Sequence, residues 1–301
     1  MLAGMDASWL ASWRPDPFLG ALVAGAGVWY LAARRRATRD GRRRQLEAWR
    51  AWAFGAGLAV LAAAWLSPLS GLDRHLLSAA FGSMFLVSTL APALVLLGQP
   101  LTLAFRTSGR AGRQRLRRIT RSFPVRLVTF PVTAWLLYAG VTYAWQFSSL
   151  ADWAMQQQAW WLVEQLTLFA AGAIFWWPAL CSDPPPWRMG YTLRVFYVFV
   201  EMTHKGLFGG MFLAAQEPFH PDIAARLPAW APSAMTDQRL GILLVWVGGS
   251  LVFFFAIVGI VRRWMAYDAR YSRRLDARIA RQREAERRRQ TALEQVFRRP
   301  L

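Results

Sequence analysis

Between His75 and Pro100 the chain reads HLLSAAFGSMFLVSTLAPALVLLGQP, apolar almost throughout and stopped by Gly98 and Pro100. At ~1.5 Å rise per residue the stretch covers ~36 Å, against a hydrocarbon core of ~30 Å. Lipid offers no partner to backbone N–H and C=O groups, so such a segment crosses as a helix that satisfies them internally. Two details set it apart from a generic span. Ala91-Pro92 lies inside the helix, and the first third carries small and soft residues: Ala79, Ala80, Gly82, Ser83 and Met84.

Six further apolar segments follow the same logic: about 17–33, 49–66, 124–145, 158–180, 189–215 and 240–261. None alternates as a barrel strand would. The expectation is an all-α polytopic membrane protein, a seven-transmembrane-helix bundle over 1–261, followed by a basic cytoplasmic tail, 262–301, that continues as a helix. Composition agrees. A net charge of +19 with 55% hydrophobic residues does not suit a soluble nucleic-acid binder, so no nucleic-acid partner is expected. The 17 tryptophans suit interfacial belts. A single cysteine, Cys181, rules out an internal disulfide framework and a CxxC metal site. The N-terminal MLAGMDASWLASWRPDP lacks the basic start and cleavage site of a signal peptide, so the first span is expected to serve as its own insertion signal.

Arginine sets the orientation. Residues 34–50 hold eight arginines, 106–126 another eight, and the tail after Val261 thirteen; these make 29 of the 36 basic residues. With seven spans all three segments fall on one side, which the positive-inside rule makes cytoplasmic, with the N-terminus periplasmic. Their simplest role is topological, resting on anionic headgroups. In the tail, Tyr267, Tyr271, Leu275 and Ile279 recur every four residues among arginines, an apolar stripe on a basic helix that suits a membrane surface or a partner.

Ionisable residues within spans are candidates for function. Glu164 and Gln165 lie early in the fifth span, Met84 at similar depth in the third, and Asp237 and Gln238 at the outer mouth of the seventh. These five are predicted to line one outward-facing pocket; the alternative is that Glu164 fixes helix packing. Glu201, His204 and Lys205 form a second, mid-membrane cluster on the sixth span. Glu201 and Lys205 stand at i, i+4 and suit a self-neutralising pair, the alternative being a proton path or a polar ligand site. No nucleotide-binding loop or nucleophilic triad is visible, so no enzyme activity is expected.

The order of several short motifs resembles the CtaG family, assembly factors of caa3-type cytochrome c oxidase, from about Trp49 to Val261. The motifs are Ser67-Pro68-Leu69, Ser78-Ala79, Ala91-Pro92, Leu96-Leu97-Gly98, Glu164, the run from Gly172 to Pro178, Arg194 with Tyr197, and Asp237-Gln238 before Gly241. The resemblance implies a bacterial inner-membrane protein that acts in oxidase biogenesis, with oxidase subunits as partners and copper as the candidate cofactor. The chain departs from the family where it matters most. The family's H-M-x-Q-H pattern falls on residues 80–84, here AFGSM, and its H-x-x-E-H on 161–165, here WLVEQ, so all four histidines are replaced. Either the site is rebuilt on soft ligands for Cu(I), Met84 foremost with Met155, Met211 and Met235 assisting, or this branch scaffolds oxidase subunits without a metal. A tryptophan at 161 fills the space of a ligand and no thiolate replaces the imidazoles, which favours the scaffold. A transporter or channel for copper or a small solute is the competing class, with Glu201, His204 and Lys205 as its polar path.

Overall fold

The computed structural model describes residues 13, 15–39, 47–148, 150–221 and 227–297. The first twelve residues, the centre of the first basic loop and the last residues of the tail lie outside the described residues, and so does the Met155 side chain. Among the described residues the fold is helical, without strands. Chain contacts divide it into residues 1–256 and residues 257–301.

In the first unit, α1 spans Pro17–Arg39 and α2 Ala48–Leu66. Pro17 opens α1, and Asp16 caps it by accepting from the N–H groups of Phe18 and Leu19 at 2.9 and 3.1 Å. A short α3 (Leu69–Leu72) leads into the central stretch. That stretch begins at Leu77 rather than His75 and is compound: α4 (Leu77–Phe85), a π-helical turn (Leu86–Leu90) and α5 (Ala91–Leu97). Pro92 explains the break, because it has no N–H to return to Ser88 O. The freed backbone is used by a neighbour. Trp176 Nε1 donates to Thr89 O at 2.9 Å, and a Cβ on Gly172 would sit 2.0 Å from Ser88 O, so only glycine permits this crossing.

The arginine-rich segment folds as α6 (Pro100–Thr107), α7 (Arg110–Thr120) and α8 (Phe123–Val128). Then follow α9 (Pro131–Phe147), α10 (Leu150–Gln156), α11 (Gln158–Leu180), α12 (Tyr191–Ala214) and α13 (Ala234–Phe297). Leu61, Trp65, Phe81, Phe85, Leu168, Phe208, Phe212 and Ile242 form the core among these helices.

Among the described residues five helical stretches are long and apolar enough to cross a membrane: 17–38, 48–66, 77–97, 158–180 and the apolar part of α13. The two other expected spans are helical but fall short by different routes. The expected fourth is broken before Pro131, which leaves α9 with 17 residues. The expected sixth is 24 residues long but carries Arg194, Glu201, His204 and Lys205. The last helix starts at Ala234, six residues earlier than its apolar run, so Asp237 and Gln238 belong to its first turns.

The end of α11 explains two motif residues. Cys181 takes a left-handed conformation (φ 45°) that ends the helix, and the Arg194 guanidinium donates to Ala179 O and Leu180 O, both at 2.7 Å. Beyond it, the Asp183 carboxylate accepts from Leu101 N and Thr102 N at 3.1 and 2.6 Å, capping α6. Burial raises the Asp183 pKa, an effect that the bonds from Thr102 oppose.

In the second unit, the helix continues to Phe297, and the stripe Tyr267, Tyr271, Leu275 and Ile279 stays exposed. The Tyr267 and Tyr271 rings lie near parallel with centroids 6.4 Å apart.

Candidate functional site

Polar side chains from four separated segments meet at one end of the bundle. Leu77, Ala80, Phe81 and Met84 repeat at helical spacing on α4, and Trp161, Glu164, Gln165 and Leu168 do so on α11. These faces enclose a cavity of about 20 Å³, space for roughly one water. Asp73 and Arg74 close it from the turn after α3, Gln146 from the end of α9, and His220 from the proline-rich segment before α13. Glu164 and Gln165, two of the five residues expected to share a pocket, both line this cavity. The sequence did not single out Asp73, Arg74, Gln146 or His220, and His220 is only 7% exposed.

The cavity wall is bonded to itself. Trp161 Nε1 donates to Asp73 Oδ2 at 3.1 Å, and Trp65 Nε1 donates to Gln165 Oε1 at 3.1 Å. Gln146 Nε2 donates to Met84 Sδ at 3.4 Å. The Arg74 guanidinium lies over the Trp161 ring, 5.3 Å from its centroid, and bonds Gln158 Oε1. Asp73 Oδ1 and Ser83 Oγ are buried, and the Ser83 hydroxyl bears on the Asp73 carboxylate. Burial pushes the Asp73 carboxyl up to about 7; the Trp161 hydrogen bond and the Arg74 charge pull the other way.

Asp237 and Gln238 are not in the cavity wall. Asp237, 1% exposed, accepts from Leu77 N at 2.6 Å, Ser78 N at 3.3 Å and the Ser78 hydroxyl. Leu76 has no side-chain cap to offer α4, so a carboxylate from α13 supplies it. The same carboxylate lies in the first turn of its own helix, so two helix N-termini share one negative charge. Gly241 makes the crossing possible, since a Cβ there would be 2.7 Å from Ser78 Cα. Gln238 joins two segments by accepting from Phe219 N at 2.9 Å and donating to Phe212 O at 3.2 Å.

The second cluster sits wholly on α12. His204 Nδ1 straddles the Glu201 carboxylate, 3.2 Å from Oε2 and 3.4 Å from Oε1, and Lys205 Nζ is 3.9 Å from Oε1. Glu201 is fully buried and Lys205 is 2% exposed. Aromatic rings surround the charges. Lys205 Nζ lies 4.7 Å from the Tyr138 ring centroid, and His204 packs against Trp135 and Tyr143 at 5.3 and 5.4 Å. The Tyr138 hydroxyl bonds Thr89 Oγ1 at 2.8 Å.

Among the described residues no three His, Cys, Asp or Glu side chains gather as a metal site. Met84 offers one thioether, already bonded to an amide, and Met211 is 48% exposed.

The family model of the cytochrome c oxidase caa3 assembly factor (Caa3_CtaG) matches residues 28–267. The chain belongs to this family. Among curated proteins it is 26% identical, over 88% of its length, to an uncharacterised protein of Mycobacterium leprae. It is also 26% identical, over 89%, to uncharacterised proteins of Mycobacterium bovis and Mycobacterium tuberculosis. In each case the match covers 41% of the relative, so the chain spans about two-fifths of the length of these proteins. No solved structure matches it. The four positions where the CtaG resemblance places histidines are 80, 84, 161 and 165. Ala80, Trp161 and Gln165 line the cavity, and Met84 adjoins it through Gln146.

Proposed function

We propose that this CtaG-family protein assists assembly of a haem-copper cytochrome c oxidase by holding a nascent oxidase subunit, without a resident copper ion. One observation carries the reading: the positions given to histidine by family resemblance surround a single cavity, yet a methyl, a thioether, an indole and an amide occupy them, and three of the four are hydrogen-bonded to neighbours. A site that binds and releases a metal keeps donors free for it. Here the donors are replaced and the space is nearly filled. The role that remains is a surface for a partner, with no catalytic step.

The reading includes a topology. Seven crossings, with α9 and α12 as the short and the polar span, put α7 and the tail on the cytoplasmic side and the Asp73 cavity on the periplasmic side of the inner membrane. Arginine distribution supports this arrangement. Transport is the weaker reading, because Glu201, His204 and Lys205 close on one another within one helix.

The test is oxidase activity and the haem spectrum in membranes from a strain lacking the gene, grown with and without added copper. Loss of oxidase that copper does not restore is the expected result. Restoration by copper would overturn the scaffold in favour of copper delivery, and normal oxidase in both conditions would remove the assembly role.

A further inference from the structure

The arginine-rich segment is more than a topology signal. Arg113, Arg117 and Arg121 repeat every four residues along α7 and its end, so their side chains share one face. That face, with Arg106 of α6 and Arg188, lines a cavity of about 600 Å³ walled on the far side by Pro184-Pro185-Pro186. Five guanidinium groups line it and no carboxylate does. The nearest acid in sequence, Asp183, is 2% exposed and spends its oxygens on the N–H groups of α6. Arg113 Nε is buried without a hydrogen-bond partner, and its guanidinium otherwise reaches Ser108 O at only 3.4 Å. The like charges of Arg113, Arg117, Arg121 and Arg188 repel each other in this recess, an anion there relieves the repulsion, and planar forked donors match phosphate oxygens.

A second hollow of about 380 Å³ adjoins the first and shares Arg121. It has the opposite chemistry: Phe123, Leu127, Phe130 and Trp187 line it. Phe123 is 77% exposed, so this hollow is open. Its shape is fixed, because Trp187 Nε1 donates to Arg126 O at 2.7 Å and the Arg126 guanidinium lies 4.8 Å from the Trp187 ring centroid.

We propose that the two hollows form one binding site for an anionic phospholipid, the phosphodiester in the arginine cavity and an acyl chain along the aromatic hollow. The shared chemistry is a phosphate oxyanion. The apolar hollow at its side selects a lipid over free phosphate. The inference depends on the chain being membrane-embedded and not on the oxidase role, so either can fail without the other.

The test uses the full chain purified in mild detergent, with bound lipid read by native mass spectrometry and affinity by titration. The probes are phosphatidylglycerol, phosphatidylcholine with the same acyl chains, and inorganic phosphate. Wild type is expected to retain phosphatidylglycerol and not phosphatidylcholine. Replacing Arg113→Gln with Arg117→Gln is expected to weaken phosphatidylglycerol binding about 30-fold. A control pair that removes the same charge outside the cavity, Arg110→Gln with Arg118→Gln, is expected to weaken it by less than ~3-fold. Equal losses in the two pairs would reduce the site to diffuse surface charge and overturn the proposal. So would equal retention of phosphatidylcholine, or displacement of the lipid by an equal concentration of inorganic phosphate. If the cavity pair does not fold, the wild-type comparison of the three probes still decides.

Discussion

The two buried polar regions are built in opposite ways. Glu201, His204 and Lys205 come from little more than one turn of α12, and their charges cancel among themselves. Asp73, Gln146, Glu164, Gln165 and His220 come from four segments and meet only because the helices cross as they do. The first region has its partners before any tertiary structure forms. The second owes its hydrogen bonds to packing, as between Trp161 and Asp73 or Trp65 and Gln165. A local cluster is thus sensitive to loss of one charge, an assembled cavity to loss of the contacts that aim its walls.

The largest expected effect tests the local cluster. Glu201→Gln leaves the Lys205 ammonium buried among aromatic rings without a full counter-charge, and should destabilise the protein by about 3–5 kcal/mol. Adding Lys205→Met should recover most of that loss, since the pair can be replaced together where it cannot be broken. Thermal unfolding in detergent measures both. An unchanged midpoint for Glu201→Gln would mean that water or another group already solvates Lys205.

Next comes the joint that aims the assembled cavity. Asp237→Ala removes the acceptor for Leu77 N, Ser78 N and the Ser78 hydroxyl and should cost about 1–3 kcal/mol. Hydrogen exchange should show the loss first at the start of α4. If protection falls evenly over the whole chain instead, Asp237 is not the local joint between α4 and α13.

How far these regions could be read from sequence follows from the same contrast. Glu201 and Lys205 stand four apart, so their pairing is written in the spacing. The break at Pro92 was visible too, but not that Gly172 would press against Ser88 O, because no local pattern encodes which helix crosses a bend. Asp237 carried a signal, an acid just before an apolar run, and that signal pointed at its own helix rather than at α4. Asp73 sits in a turn outside the spans, where an acid is ordinary until burial is known. His220 lies in a proline-rich loop, and nothing in its neighbours predicts that it folds back over the cavity. Exposed Met211 shows the reverse: a soft residue at plausible depth on the wrong face of its helix.

A smaller effect sharpens the electrostatics of the cavity. The Asp73 pKa is about 7 in the fold, against 3.8 for the free side chain. The folded state therefore holds a proton that the unfolded chain has lost, so the Asp73 contribution to stability falls as pH rises from about 4 to about 7 and does not change above that. Asp73→Asn keeps an acceptor for Trp161 and cannot ionise. It should flatten this decline and raise the midpoint at pH 8 by ~2–4 °C, about 1 kcal/mol. Arg74, Glu164 and His220 face the same cavity, so the readout is the difference between wild type and variant across pH, not the wild-type curve alone. Parallel curves would mean that Asp73 is solvated in the folded protein.

The smallest effect is the one that separates the two readings of the altered site. Met84 is 2% exposed, and its sulfur accepts from Gln146. Met84→Leu conserves volume and loses one weak acceptor, which should cost about 1 kcal/mol or less. Under the scaffold reading the side chain is packing, so membranes from a Met84→Leu strain should keep wild-type oxidase activity and the protein should take up no less Cu(I) in equilibrium dialysis than wild type does. Under a copper-delivery reading the same substitution removes a soft donor beside the cavity, and both quantities should fall together. A near-silent stability effect makes this variant informative: loss of oxidase could not be blamed on the fold, and would place the function in a sulfur atom that the packing alone does not need.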